Sequence, residues 1–437
     1  MKRQAWVGSF YDLVTGDEDA RVCKDIPDAA CHEQPGNFFL QLASLVCTKI
    51  GDEIASAKLV LPWLLSAAGA PAFFIGLLVP IRESLSLMPQ LFVAAAIRAR
   101  PIRKWLWVGG SVVQGLCVAA FAGVALALEG AAAGWAVVGL LTVFAIARGV
   151  ASVANKDVMG KTVSKTRRGT LTGYATAMAG LVTVFLGAWL QFGDGTPNDV
   201  GGIVALLLIA AGLWLFAAAL FAGVRETPGA TSGGGDAGRE ALASLSVLAT
   251  DRLFRRFVIT RALLVSTALL VPFYAVLARE QTGAGLGGLG ALLVAAGVAA
   301  TISAGFWGRM ADRSSRDVLR TASGVAGLLS LGIAAWQMAG SPGLPDGVVL
   351  LAAFFVIGIA HAGVRIGRKT YLVDMATAET RATYVAVSNT VIGIVLLMGG
   401  VFGALAGWIG TAETIGILGV FCLAGSIGAQ RLEEVTR

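Results

Sequence analysis

The chain has 437 residues, of which 56% are hydrophobic and 14% charged, and its mean hydropathy is +0.76. A soluble protein carries about 25% charged residues, so this composition excludes an ordinary soluble enzyme or binding domain. The formal net charge of +7 does not imply nucleic acid as a partner, because the basic residues cluster in alternate loops between apolar segments.

The chain begins with a polar stretch, residues 1–36, which lacks the apolar core of a signal peptide. We predict a cytoplasmic N-terminal segment there. Cys23, Cys31 and His32 lie in it, but their spacing fits no usual zinc pattern, and a reducing compartment disfavours a disulfide. A solvated tail is favoured over a metal site, and we predict no cofactor or metal; the role of the three side chains stays open.

Charged residues interrupt the next apolar run, residues 37–97. The loop charges on both sides require an even number of membrane crossings, so we predict one helix over about 37–66, a turn at 66–71 and a second helix over about 72–97. Within the first helix, Lys58 is predicted to extend toward the outer surface.

Five charged side chains are predicted to meet at one depth of this hairpin: Lys49, Asp52, Glu53, Arg82 and Glu83. The first three share one helix face by their spacing, and the last two lie at an equal distance from the turn, within about one helical turn. Two interpretations stay open. Either an acid of this cluster binds a proton while a base meets a polar or anionic substrate, or the charges form a structural ion-pair network.

The remaining apolar segments are long enough to span a bilayer as helices. Charge-free examples are residues 105–128, 131–147, 169–192, 200–224, 262–278 and 414–430. The basic loops on one side are predicted to contain Arg98–Lys104, Lys156–Arg168, Arg309–Arg320, and Arg365, Arg368, Lys369 and Arg381. Three single residues are weaker candidates: Arg148 for gating or coupling, Arg261 as a headgroup anchor, and His361 as a proton shuttle or a packing residue.

An internal repeat relates the two halves of the chain at an offset of about 213 residues. Gly308-Arg-Met-Ala-Asp312-Arg313-Ser-Ser-Arg316 corresponds to residues 95–103, which keep the two arginines three apart. The repeat predicts five regions, with the two halves separated by a flexible linker: 1–36 cytoplasmic, 37–224 first bundle, 225–250 linker, 251–430 second bundle and 431–437 tail.

The loop Gly308-x-x-x-Asp312-Arg313-x-x-Arg316, together with this layout, resembles the cytoplasmic signature of the major facilitator superfamily. The resemblance implies an all-α membrane protein with twelve transmembrane helices in two six-helix bundles related by pseudo-two-fold symmetry. It also implies a cytoplasmic gate, for which the candidates are Gly308, Asp312, Arg313, Arg316, Lys156, Asp157, Asp374 and Arg381.

The predicted function is secondary active transport of a small polar or anionic solute by alternating access, with proton or other ion coupling. We expect a monomer in the bacterial inner membrane, multi-pass, with both termini cytoplasmic, no enzyme activity and no nucleic-acid partner. An exporter of amphipathic compounds or lipid, and a non-transporting scaffold or receptor, are the alternatives. The sequence names no substrate, coupling ion or direction of transport.

Overall fold

The computed structural model describes residues 28–87, 100–192, 200–228, 245–283, 286–341, 343, 345–377 and 380–435. Within these ranges every regular element is a helix: α1 Asp28–Ile54, α2 Val60–Ala67, α3 Ala72–Leu87, α4 Lys104–Ala127, α5 Gly130–Thr162, α6 Lys165–Phe192, α7 Val200–Ala222, α8 Val247–Thr250, α9 Arg252–Leu264, α10 Ser266–Thr282, α11 Leu286–Ala311, α12 Ser315–Met338, α13 Asp346–Met375, α14 Arg381–Met398, α15 Val401–Ile409 and α16 Thr411–Gln430.

Ten segments of the described chain are long and apolar enough to cross a membrane. They comprise α4 to α7 and α9 to α16, with α9–α10 and α14–α15 each counted as one span. This confirms the prediction of an all-α, multi-pass membrane protein. We call the side with the α4 start and the α11–α12 turn the basic side, and the side with the α2–α3 turn the opposite side.

The first predicted helix is broken where its charges lie. It begins at Asp28, ends at Ile54 and resumes as α2 at Val60, so the expected continuous helix over 37–66 is wrong. Pro62 explains the break, because it has no amide hydrogen to bond the carbonyl of Lys58 and its ring clashes with that carbonyl. The irregular segment 55–59 brings Lys58 and the preceding acids to the middle of the protein.

The described ends of the chain differ from the predicted boundaries. Because α1 starts at Asp28, part of the predicted polar tail is helical. Cys31 is disulfide-bonded, which corrects the expectation of a reduced segment, while Cys23 lies outside the described residues. Most of the predicted linker, 229–244, also lies outside them, and α8 follows it.

Contacts between the two halves are closest toward the opposite side. There α3 packs against α10, α14 and α15, and α6 packs against α11. A Cβ atom on Gly290 would lie only 2.6 Å from the Gly187 carbonyl oxygen, and one on Gly403 would lie 2.7 Å from the Cα of Gly76. Glycine therefore allows these helices to touch backbone to backbone.

Candidate functional site

Asp52, near the end of α1, joins three helices of the N-terminal half. One carboxylate oxygen accepts a hydrogen bond from Arg82 of α3 at 2.8 Å, and the other accepts one from Arg148 of α5. The Arg82 guanidinium also lies 5.0 Å from the centre of the Phe144 ring. Three residues that the sequence singled out are thus in direct contact, and both oxygens of one acid hold two cations in place.

Lys58 links the two halves of the chain. Its ammonium nitrogen lies 3.6 Å from a Glu83 carboxylate oxygen and 3.2 Å from Nε2 of His361 on α13. The other ring nitrogen of His361 lies 3.3 Å from the Thr267 hydroxyl on α10. The expectation that Lys58 extends to the outer surface is wrong, because the chain leaves the helix before Lys58 and turns this side chain inward.

Two arginines of α13 add positive charge to the same region. Arg365 interacts electrostatically with Lys49 and Glu53, and Arg368 with Glu83. The prediction that both lie in a basic loop with Lys369 is wrong, since all three residues lie within the helix α13, Asp346–Met375. We call the interacting set the charged centre: Lys49, Asp52, Glu53, Lys58, Arg82, Glu83, Arg148, Arg365 and Arg368.

The charged centre contains six cationic and three anionic groups, a formal excess of three positive charges. Asp52 and Glu83 are held by basic side chains. Glu53 differs from them: it is exposed and forms no ion pair or hydrogen bond with the residues that the structure describes. The excess charge makes the centre suited to an anion, and Glu53 is its least constrained acid.

Arg261 of α9 is buried inside the C-terminal half, with 6% of its surface exposed. It donates hydrogen bonds to the side chains of Ser388 and Asn389, which are both uncharged. The expectation of a headgroup anchor is therefore wrong. Because Arg368 lies close enough to interact with it, Arg261 extends the positive field of the centre within the C-terminal half.

The candidate gate residues lie at the basic side. Arg103 and Lys161 both pair with Asp157, and Arg316 lies 3.5 Å from Glu434, so each of these ion pairs stays within one half. The other candidates have these positions: Lys156 is exposed on α5, Gly308 lies in α11, Asp312 and Arg313 are exposed in the α11–α12 turn, Asp374 lies in the last turn of α13, and Arg381 begins α14. The gate role stays a prediction.

Comparison with known proteins agrees with the predicted resemblance. Residues 262–433 match the family model described as Major Facilitator Superfamily. The match covers the C-terminal part of the chain, which is therefore similar to the major facilitator superfamily. The matched family is one of membrane transporters and not of enzymes. A search of curated proteins found no match.

Solved structures of the superfamily share the fold over nearly the whole chain. A D-xylose–proton symporter is 14% identical with a TM-score of 0.67, over 92% of this chain and 98% of that one. The nucleoside transporter NupG is 13% identical with a TM-score of 0.64, over 91% and 99%. The inward-open xylose transporter XylE from E. coli is 12% identical with a TM-score of 0.63, over 91% and 96%. At these identities the likeness shows the fold alone.

Two cavities among the described residues bear on the location of the site. One of about 300 Å³ lies in the N-terminal half and is lined by Lys49, Asp52 and Arg148 together with residues of α4 and α7. The other, of about 490 Å³, lies at the opposite side beside Ser66, where Arg279 donates a hydrogen bond of 3.0 Å to the Ser66 hydroxyl. No residue of the charged centre lines the larger cavity, whereas three of them line the smaller one, so the smaller one is the candidate site.

Some residues of the charged centre and its neighbours could have been found from spacing. His361, Arg365 and Arg368 are four and three residues apart, which places them on one helix face, and this pattern was overlooked because the arginines resemble a basic loop. Asn155, next to the gate candidate Lys156, lines the cavity of the N-terminal half. Its position depends on how α5 packs, which no local pattern shows.

Proposed function

We propose that this protein is a secondary active transporter that moves a small organic anion by alternating access, driven by coupled proton movement. The observation that carries the proposal is the charged centre, with its formal excess of three positive charges inside a membrane-spanning fold. Ionisable groups at membrane depth are costly, so an uncompensated excess is explained by a ligand of opposite charge.

Twelve spans in two pseudo-symmetric six-helix bundles are part of this proposal. The ten apolar spans become twelve when the broken helix α1–α2 and its neighbour α3 are added. Ser66 and Arg279 lie 213 residues apart, the repeat offset, and their hydrogen bond is what two symmetry-related positions beside a two-fold axis would form. The proposed halves are 37–224 and 251–430, joined by the linker 225–250, and the protein acts as a monomer.

The proposed orientation places the basic side and both termini in the cytoplasm of a bacterial inner membrane. The glycine contacts of α3 with α15 and of α6 with α11 close the opposite side, whereas the described ion pairs of the basic side stay within each half. The conformation is then inward-facing. In the outward-facing state the candidate gate residues around Gly308–Arg316 and Lys156–Asp157 would close the basic side.

Glu53 is the proposed proton site. Asp52 and Glu83 each form ion pairs with neighbouring cations, whereas Glu53 is exposed next to the Asp52 carboxylate. A carboxylate that no cation holds can take up a proton with the smallest loss of contacts. Lys49 and Arg365, which lie close enough to interact, would then attract the anion, and His361 would connect the halves through Lys58.

Uptake into proteoliposomes tests this function. Small carboxylates should accumulate when an inward-directed pH gradient is applied and should equilibrate without it. In Glu53→Gln the gradient should lose its effect while exchange of internal for external carboxylate continues, because the anion site is intact. Glu33→Gln, which changes an acid outside the charged centre, serves as the control. Loss of gradient-driven uptake in Asp52→Asn but not in Glu53→Gln would reject Glu53 as the proton site.

A further inference from the structure

The cavity of about 300 Å³ is a side chamber of the charged centre. All its lining residues belong to the N-terminal half, and Lys49, Asp52 and Arg148 form the wall that it shares with the centre. The chamber therefore keeps its shape for as long as the N-terminal bundle does. A substrate group seated there would stay with this half while the C-terminal half moves.

The shared wall carries unused positive charge. Lys49 forms no ion pair with any residue in the described ranges, and Arg148 contacts Asp52 through only one of its guanidinium nitrogens. The Arg148 side chain is 36% exposed, so its remaining N–H groups can be reached from the chamber. A carboxylate can accept hydrogen bonds from an ammonium group and a guanidinium group that lie side by side.

The lining of the chamber also includes an acceptor without a donor. The carbonyl oxygen of the Asn155 side chain is buried and has no hydrogen-bond partner in the described structure. Buried polar atoms are nearly always paired, and each exception calls for an explanation. A hydroxyl or ammonium group on a bound molecule would satisfy this oxygen.

Two indole rings make the chamber rigid. Trp214 and Trp107 line it and are only 1% and 3% exposed. A Cβ on Gly51 would lie 2.7 Å from the Trp214 ring, so the ring is packed directly against backbone, and Trp107 stacks on Phe221 at 3.9 Å between centroids. Flat apolar walls of this kind suit the C–H face of a small carbon chain.

We propose that the chamber binds the substrate as a small carboxylate with a hydroxyl or amino donor, the carboxylate at Lys49 and Arg148 and the donor at Asn155. This rests on the proposed transport of an organic anion and adds its chemical class. The predicted substrates are hydroxy- or amino-carboxylates. Unsubstituted carboxylates of the same length leave the Asn155 oxygen unpaired and bind more weakly.

Binding and flux with matched probes test the proposal. The full chain in detergent is titrated with glycerate and propionate, and the same pair is used for exchange in proteoliposomes. Wild type should prefer glycerate about tenfold. Asn155→Leu should remove this preference while retaining propionate binding, Asn155→Ser should restore part of it, and Lys49→Gln should weaken both probes alike. Arg255→Gln, at an exposed position outside the charged centre, the chamber and the gate, should change neither.

The outcomes separate the two proposals. Exchange of both carboxylates without preference, or a preference that persists in Asn155→Leu, would overturn the chamber and leave anion transport standing. No exchange of either carboxylate in wild type would overturn both. Asn155→Leu should also unfold at the same temperature as wild type or higher, because it removes a buried acceptor that has no partner. A clear drop in that temperature would show that the acceptor is used in the empty protein.

Discussion

Asp52 holds the N-terminal helices together at the level of the charged centre, because each of its carboxylate oxygens accepts a hydrogen bond from a different arginine. The side chains of Asp52 and Arg82 are 17% and 13% exposed, so water compensates little for the loss of either partner. The acid thus has a structural role whatever its part in transport. Of the two interpretations left open by the sequence, the ion-pair network applies to Asp52, and proton binding stays a proposal for Glu53.

Replacing Asp52 with asparagine should destabilise the protein markedly. Arg82 and Arg148 would remain in the bundle without the charge that neutralises them, and breaking a buried pair in this way costs about 3 kcal/mol or more. Thermal unfolding in detergent checks this. The matched control is Glu53→Gln, one residue further along, which should stay within about 0.5 kcal/mol of wild type. Equal stability of the two variants would contradict a structural role for Asp52.

Helix ends at the basic side are fixed by single side chains, as α9 illustrates. Asp251 precedes this helix and accepts a hydrogen bond of 2.9 Å from the Phe254 amide and another from the Tyr384 hydroxyl. Burial acts to raise the pKa of Asp251, but the hydrogen bonds from Tyr384, Phe254 and Leu253 outweigh it and place the pKa below the ordinary value of 3.8. The charged form is thus the one that the fold stabilises.

Because Asp251 caps the start of α9, we expect its contribution to protein stability to depend on pH in a defined way. The pKa of Asp251 is lower in the folded protein than in the unfolded one. Its contribution to the free energy of unfolding is therefore complete above the unfolded-state pKa and is lost as the pH falls through the folded-state pKa. The stability difference between wild type and Asp251→Asn should be about 0.5 kcal/mol at neutral pH and should shrink below about pH 4. Thermal unfolding from pH 7 to pH 3 measures it. A difference that grows on acidification would show the opposite sign.

Glycine contacts between α6 and α11 control closure of the opposite side. A Cβ on Gly290 would lie 2.6 Å from the Gly187 carbonyl oxygen, whereas one on Gly287 would lie 3.8 Å from its nearest neighbour, an ordinary contact. The first position cannot accept a methyl group unless the helices separate, because the atoms it meets are backbone. The second can.

Gly290→Ala should therefore shift the protein away from the conformation described here, and Gly287→Ala should not. Distances between spin labels at Glu129 and Ala339, which lie in exposed loops on the opposite side of the two halves, report the change. We expect a population with longer distances in Gly290→Ala alone. Identical distance distributions in both variants would show that this contact does not hold the opposite side closed.

At the scale of the whole molecule, hydropathy and loop charge predicted the membrane class, and the Gly308–Arg316 loop lies in the segment that matches the family model. Hydropathy could not predict the break at 55–59. The charged residues nearby lower the local hydropathy whether the segment is helical or irregular, so hydropathy does not distinguish the two. The contribution of Arg365 and Arg368 was missed because a basic residue near a helix end resembles a loop residue until the helix bounds are known. Long-range packing decides both points.

Both halves interrupt their first helix at related positions. The first break follows Ile54, and the second lies at Val265, which is 213 residues after Asp52. Each break lies at the level of the charged centre, where Lys58 and Thr267 contact the two nitrogens of His361. Broken helices around a central site are how many transporters bind ions and substrates, and they give each half a point at which it can bend.

The central claim is that the positive excess of the charged centre selects an anion for transport. Exchange flux in proteoliposomes tests it most directly when glycerate is compared with glyceramide, which has nearly the same shape and no charge. We predict flux of glycerate alone, and a fall of at least about tenfold in Arg365→Gln, with Arg255→Gln outside the centre unchanged. Equal flux of the two probes, or full glycerate flux in Arg365→Gln, would contradict the account.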